Sequence, residues 1–157
     1  MLKAYKYCLL PSVEQKKQLT NFFGCIRFIY NIGLETKISA WTSAKKNLTC
    51  IDLSNQLKEL KDTEAQWLKE CPAQSLQMAL RNLDNAYTNF FRGKGFPKFK
   101  KRSNNQSIQF PQGVTIENNK IFIPKLKWID IIQHRKIGEG IIKTVTVSKT
   151  NTGKYFV

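Results

Sequence analysis

Residues 81–107 read RNLDNAYTNFFRGKGFPKFKKRSNNQS, and the fold turns on how this stretch is read. It opens with apolar residues at helical spacing and closes as a glycine-broken basic strip. From Arg92 to Arg102 stand six cations, Arg92, Lys94, Lys98, Lys100, Lys101 and Arg102, with no acid and with Phe96 and Phe99 among them. Gly93, Gly95 and Pro97 interrupt regular structure, and so dense a charge of one sign is too costly to bury. The strip is therefore a boundary. Before it the apolar residues follow a helical period, and after it β-branched residues and turn signals take over.

Upstream, Ser12-Val13-Glu14-Gln15 has the form of a capping box. Behind it Leu19, Phe22, Phe23, Ile26, Ile29, Tyr30 and Gly33 recur on one helical face, and Ile38 and Trp41 extend it. Gly24 is expected to divide this run into two helices, 12–23 and 25–43. KKNLTC is a loop, and Asp52 is the expected cap of a further helix with Leu53, Leu57 and Leu60 on one face. A short turn around Trp67 follows. Pro72 suits the first turn of the last helix. Its stripe is Leu76, Ala79, Leu80, Leu83, Ala86 or Tyr87, Phe90 and Phe91, and Gly93 stops it as a C-cap glycine.

Downstream, VTIENNKIFI (114–123) reads as a hairpin turning at Asn118-Asn119. IIKTVTVSKTNTGKYFV (141–157) reads as another, turning at Asn151-Thr152-Gly153, and two or three short strands fit between. Antiparallel strands with short links predict a small barrel or sandwich. Residues 2–10, LKAYKYCLL, read as a strand ended by Pro11. A strand edge demands a partner, and partners exist only after residue 107. The expected fold is α+β, with a helical block inserted into a small antiparallel β-barrel module. Residues 1–11 give its first strand, 12–92 the helical block, 93–106 a basic linker and 107–157 the rest of the β-module.

The net charge of the 157 residues is +15. It is spread along the chain, and a strongly basic folded protein meets a polyanion, either nucleic acid or an acidic membrane face. The sequence has no run of about 18 apolar residues, as a membrane span requires, and the N-terminus lacks a signal-peptide core. Cys8, Cys25, Cys50 and Cys71 lie far apart with no C-x-x-C pair, against a zinc ribbon or a disulfide framework. They read as reduced, packed cysteines of a cytoplasmic protein. The lone His134 reads as a surface or packed side chain. In the strip, cations alternate with rings, the pattern of a segment that tracks phosphates while a ring packs or stacks. A solvated linker whose rings anchor it to the core is the plainer alternative. Arg81, with Asn82, Asn85 and Asn89, lies on the helix leading into the strip and extends the candidate groove.

RFIYNIGLE (27–35), SLQMALRNLDNAYTNFFRGKGFPKFKKR (75–102) with SIQF after it, IFIPKLKWI (121–129) and GIIKTVTVSKTNTGKYFV (140–157) together resemble the N-terminal half of TnpB/OrfB proteins. These are transposon-encoded relatives of type V CRISPR effectors, and this region is often described as the helix-turn-helix of a transposase. The resemblance implies a β-barrel wedge interrupted by a helical recognition domain. It implies binding of a guide RNA from the transposon end, recognition of a short DNA motif beside the target, and cutting by a RuvC-like nuclease domain. It makes Ser54, Gln77 and Gln112 the residues facing the DNA motif, where a glutamine amide can pair with an adenine edge. Cys50 and Ala73 stand where the family often has tyrosine and lysine, which implies a different motif or weaker recognition.

In that family the nuclease carboxylates and the cysteine-pair zinc ribbon lie beyond the point matching residue 157. Asp130 and Glu139, the only acids after Glu117, sit in no such motif. The resemblance thus implies a chain that is not an enzyme alone, with no catalytic residue, metal or cofactor of its own. The divalent-metal and zinc sites would belong to a missing C-terminal half. The chain would be a truncated or degenerate copy, or one piece of a split gene partnered by a separately encoded nuclease half. Two other readings stay open. One is a stand-alone regulator using residues 12–43 as a helix-turn-helix, although FFGCIRFIYNIGLE offers few base-reading side chains. The other is a basic interaction protein without nucleic acid.

Overall fold

The computed structural model describes residues 1–103 and 105–157; Asn104, in the expected linker, lies outside the described residues. In chain order the elements are β1 (Cys8–Leu10), α1 (Val13–Ala44), α2 (Cys50–Asp62), a 3-10 turn (Gln66–Glu70) and α3 (Ala73–Phe91). Six strands follow: β2 (Gln106–Phe110), β3 (Thr115–Glu117), β4 (Lys120–Ile123), β5 (Lys127–Ile132), β6 (Val145–Lys149) and β7 (Tyr155–Phe156). The fold is α+β. Its compact units are a β unit, Met1–Phe23 with Ser103–Val157, and a helical unit, Gly24–Arg102.

The β unit holds one antiparallel sheet in the order β2-β6-β7-β1-β5-β4-β3. It is curled as a half-barrel with β2 and β3 at its edges, where the sequence predicts a barrel; the three-residue β3 offers little edge to close against. β1 finds both neighbours among the late strands, Leu9 standing opposite Ile131 on β5 and Tyr155 on β7. It is shorter than the predicted 2–10, although Tyr7 still exchanges backbone hydrogen bonds of 2.7 and 2.9 Å with Val157. Alternation puts Leu9, Ile108, Phe110, Ile121, Ile123, Ile129 and Val147 in the core. The β3–β4 hairpin turns where expected, with Asn118 and Asn119 at φ 48° and 58°. Asparagine tolerates that left-handed pair better than most residues, and it matches the twist of the strands.

The predicted capping box opens α1. The Ser12 N–H donates to Gln15 Oε1 at 2.9 Å, and the Gln15 N–H donates to Ser12 Oγ at 3.2 Å. Gln15 Nε2 also donates to the Trp128 carbonyl at 2.9 Å, so the same residue ties the start of α1 to β5. The expected break at Gly24 does not occur, and α1 is one 32-residue helix. A glycine inside a helix costs about 1 kcal/mol. The buried Phe22, Phe23, Cys25 and Ile26 on either side outweigh that.

In the helical unit α1, α2 and α3 converge at Gly33. A Cβ there would meet Leu83 Cδ2 at 3.0 Å, Leu80 Cδ2 at 3.4 Å and Leu53 Cδ1 at 3.6 Å. The cap of α2 is Thr49, not Asp52. Asp52 closes a capping box from the third helical position, its carboxylate accepting the Thr49 N–H at 2.8 Å. That bond, and the one from the Thr49 hydroxyl, hold the Asp52 carboxyl below its usual range. The sequence stripe overran the core at two helix ends. Trp41 is 55% exposed and Phe91 73%, because the buried run of α1 stops at Lys37 and that of α3 at Leu83.

The two helical glycines give opposite expectations. A Cβ on Gly24 finds only Arg27 Nη2, at 3.8 Å. Gly24→Ala is expected to stabilise the chain by about 0.5–1 kcal/mol in urea unfolding, since it restrains the unfolded state at no steric expense. Gly33→Ala is expected to destabilise it by about 1–3 kcal/mol, because the fully buried Leu83 has nowhere to move. Equal stabilisation by both substitutions would contradict the convergence of helices at Gly33.

Candidate nucleic-acid interface

α3 delivers the strip. Gly93, at φ 90°, sits just past the helix end. Its N–H donates to the Phe90 carbonyl and the Lys94 N–H to the Asn89 carbonyl, both at 3.0 Å. These are the two bonds of a Schellman motif, and they fix the direction in which the chain leaves the helix. Arg92 stands at the C-cap, where a cation is favoured by the negative end of the helix dipole.

The extended segment that follows is fastened at two points, both within the helical unit. Phe96 stands edge-on to Phe90 and Tyr87, with ring centroids 5.1 and 5.6 Å apart. Pro97 beside it is buried. The second point is Asn31 on α1. Its Oδ1 accepts the Lys100 N–H at 2.7 Å and its Nδ2 donates to the Lys100 carbonyl at 2.9 Å. One amide thus pairs with a backbone as a neighbouring strand would. Phe96 takes the anchoring role left open beside stacking, while its ring keeps 45% exposure. Phe99 is 47% exposed.

Of the six cations, Arg92, Lys94, Lys98, Lys101 and Arg102 lie on the surface. Lys100 is exposed as a residue, yet its ammonium sits 4.5 Å from the centroid of the Tyr30 ring. That desolvation lowers its pKa, as burial raises that of the Tyr30 hydroxyl. Arg81 is exposed on α3, Nη1 4.0 Å from Met78 Sδ. Asn85 and Asn89 follow it at four-residue intervals toward Arg92, all exposed, so the face leading into the strip is polar. The helical unit holds fourteen cations and seven acids, the β unit twelve and four. Both are net basic.

Ser54 and Gln77, on different helices, are brought together. Ser54 Oγ is 2.8 Å from Gln77 Oε1 and also 2.8 Å from the Cys50 carbonyl. A hydroxyl has one proton and can donate to only one of them. Both side chains are half-buried, as is Cys50, while Ala73 is exposed. Gln112 is exposed in the β unit, between β2 and β3. His134 packs edge-on to Tyr7, centroids 5.3 Å apart. None of the four cysteines is in a disulfide, and Cys25 and Cys71 are buried.

Two supporting residues escaped the sequence reading. Asn31 is one. Lys37 is the other, only 7% exposed. Its ammonium donates to the Leu48 carbonyl, lies 3.9 Å from Asp84 Oδ1 and sits 4.6 Å over the Tyr87 ring. Both were visible as anomalies. Asn31 is a weak helix former in mid-helix, and Lys37 is a cation one turn past Gly33 on the apolar stripe. Among the described residues no group of three or more His, Cys, Asp or Glu is placed to hold a metal ion. No helix among them is long and apolar enough to cross a membrane.

The helical unit thus carries a basic, ring-studded strip fastened to its own helices, the pattern of a segment that tracks phosphates. A family model described as a helix-turn-helix domain, of the OrfB IS605 type, matches residues 1–46. The chain is 39% identical over 160 residues to InsQ of Escherichia coli (strain K12), provisionally named an RNA-guided DNA endonuclease, covering 99% of this chain and 39% of that one. A protein of Streptomyces pristinaespiralis with the same provisional name is 34% identical over 161 residues, 99% of this chain and 40% of its own. Virulence protein VsdF of Salmonella dublin is 35% identical over 113 residues, 65% of this chain and 95% of its own. The chain belongs to the TnpB/OrfB family of transposon-encoded proteins. It spans about two-fifths of the length of the two endonuclease-named relatives. Residues 1–46 here are β1 and an uninterrupted α1, so the helix-turn-helix description names the family model and not a local turn in this chain.

The Asn31 clamp generates a direct expectation. Asn31→Ala removes two hydrogen bonds and should cost about 1–2 kcal/mol in thermal unfolding. It should also speed tryptic cleavage between Lys94 and Arg102 in the folded protein. Asn31→Asp, which keeps the acceptor and loses the donor, should fall between. Unchanged cleavage in Asn31→Ala would show that the clamp does not hold the strip.

Proposed function

We propose that this chain is the nucleic-acid-binding part of an RNA-guided DNA endonuclease of its family, holding guide RNA and the DNA beside the target. The observation that carries the proposal is the strip from Arg92 to Arg102, dense in one sign of charge and fastened by Asn31 and Phe96 to a folded unit. Cations on a fixed backbone track phosphates with little entropic loss on binding. The names of two relatives, and the net basic charge of both units, support the same reading.

In this reading Arg81, Arg92, Lys94, Lys98, Lys101 and Arg102 bind backbone phosphates. Lys100 contributes less, since its ammonium is drawn against Tyr30. Phe99 is a candidate for stacking. Ser54, Gln77 and Gln112 face the short DNA motif, where a glutamine amide presents both a donor and an acceptor to an adenine edge. The β unit takes the part of the wedge and the helical unit that of the recognition domain. Family cleavage chemistry requires carboxylates converging on divalent metal. Among the described residues no such group of acids is placed together, and we assign this chain binding, with cutting left to residues outside it. The alternative of a free-standing helix-turn-helix regulator is disfavoured by the continuity of α1.

Lys94, Lys98 and Lys101 together replaced by glutamine should weaken binding regardless of sequence. Between about 50 and 200 mM salt, the slope of log affinity against log salt should flatten by roughly 0.7 per lost contact on single strands and 0.9 on duplex. The same affinity and slope as the unaltered chain would sink the phosphate assignment. Separately, the chain with magnesium or manganese, a guide RNA and its target duplex should leave the DNA intact. Guide-directed cutting would show an active site in these residues.

A further inference from the structure

Phe91 is the last residue of α3 and 73% exposed. A lone exposed phenylalanine is ordinary. This one is the outermost member of a four-ring cluster. It rests on Phe90 at 5.4 Å and 51°, and on Tyr87 at 6.4 Å and 38°. Those two rings each hold Phe96 nearly perpendicular. The ring is thus backed by neighbours and open to solvent. Directly after it come Arg92 and, past the Schellman turn, Lys94, their backbones set by the bonds to Asn89 and Phe90. The nearest acid upstream on α3 is Asp84, which pairs with Lys37.

We propose that Phe91 is a stacking platform for one unpaired nucleobase of a single-stranded segment, with Arg92 and Lys94 engaging the phosphates that flank it. The proposal rests on the nucleic-acid reading above and adds a strand state to it. Charge complementarity selects a polyanion over an apolar peptide. The bare ring selects a strand whose bases offer their faces, and inside a duplex those faces are occupied. A ring held by other rings loses little freedom when a base covers it, which favours stacking here over stacking on an isolated side chain.

The test uses the full chain and short oligonucleotides carrying 2-aminopurine: a ribo strand and a deoxyribo strand of one sequence, and a blunt DNA duplex. Single-strand binding to the unaltered protein should quench the fluorophore. Phe91→Ala should lose the quench and about tenfold in single-strand affinity, with duplex affinity and melting temperature unchanged, and Phe91→Trp should keep both. Either strand satisfies the proposal, and the tighter one names the source. If Phe91→Ala binds single strands like the unaltered chain while the Lys94, Lys98 and Lys101 variant is weakened, the platform is wrong and the phosphate strip stands. An equal loss on single strand and duplex overturns the platform too. If the unaltered chain binds none of the three, both readings fall.

Discussion

Six cations within eleven residues have no electrostatic reason to lie down together, since their charges repel one another and favour water. The polar half of what fastens the strip is one amide. Asn31 accepts from the Lys100 backbone N–H and donates to its carbonyl, so α1 presents to the strip the edge of an imitation strand. Phe96 and the buried Pro97 supply the apolar counterpart at the middle of the strip. Between these points Lys98 stays outside while the backbone is held. The charge density that would make a free segment merely soluble becomes a surface with a fixed path.

Lys37 extends this support into the core. A buried ammonium is costly unless its donors are met. This one meets the Leu48 carbonyl, the Asp84 carboxylate and the Tyr87 ring. Leu48 immediately precedes the Thr49 cap of α2, so the same cation holds the loop that starts that helix. Tyr87 is shared between Lys37 and Phe96. A single ring therefore joins the inside of the helical unit to the base of the strip, and a change at Lys37 would reach the backbone of the basic segment.

Much of this was legible in the sequence wherever local chemistry decides. Ser12 with Gln15, Gly93, and the Asn118-Asn119 turn all do what their residue types predict, because each bond they form lies within a few residues of chain. The pairing of β1 with late strands was legible for another reason: no other strand was available. The misses share one cause, tertiary context. Gly24 stays helical because its neighbours are buried. Trp41 and Phe91 continue an apolar period past the point where the core ends. Thr49 displaces Asp52 as the cap because the threonine and aspartate bond reciprocally, a pair whose partners exchange roles by a shift of three residues. Asn31 and Lys37 act across 69 and 11 residues, at distances no periodicity reports.

The most direct test of the account is a hydrogen-exchange footprint of the full chain with and without bound nucleic acid. Protection gained on binding is expected to centre on residues 92–102 and the last turns of α3. Asn31→Ala is expected to raise exchange at the Lys100 amide before any nucleic acid is added. Protection that spared this segment, in a chain that demonstrably bound RNA or DNA, would contradict it.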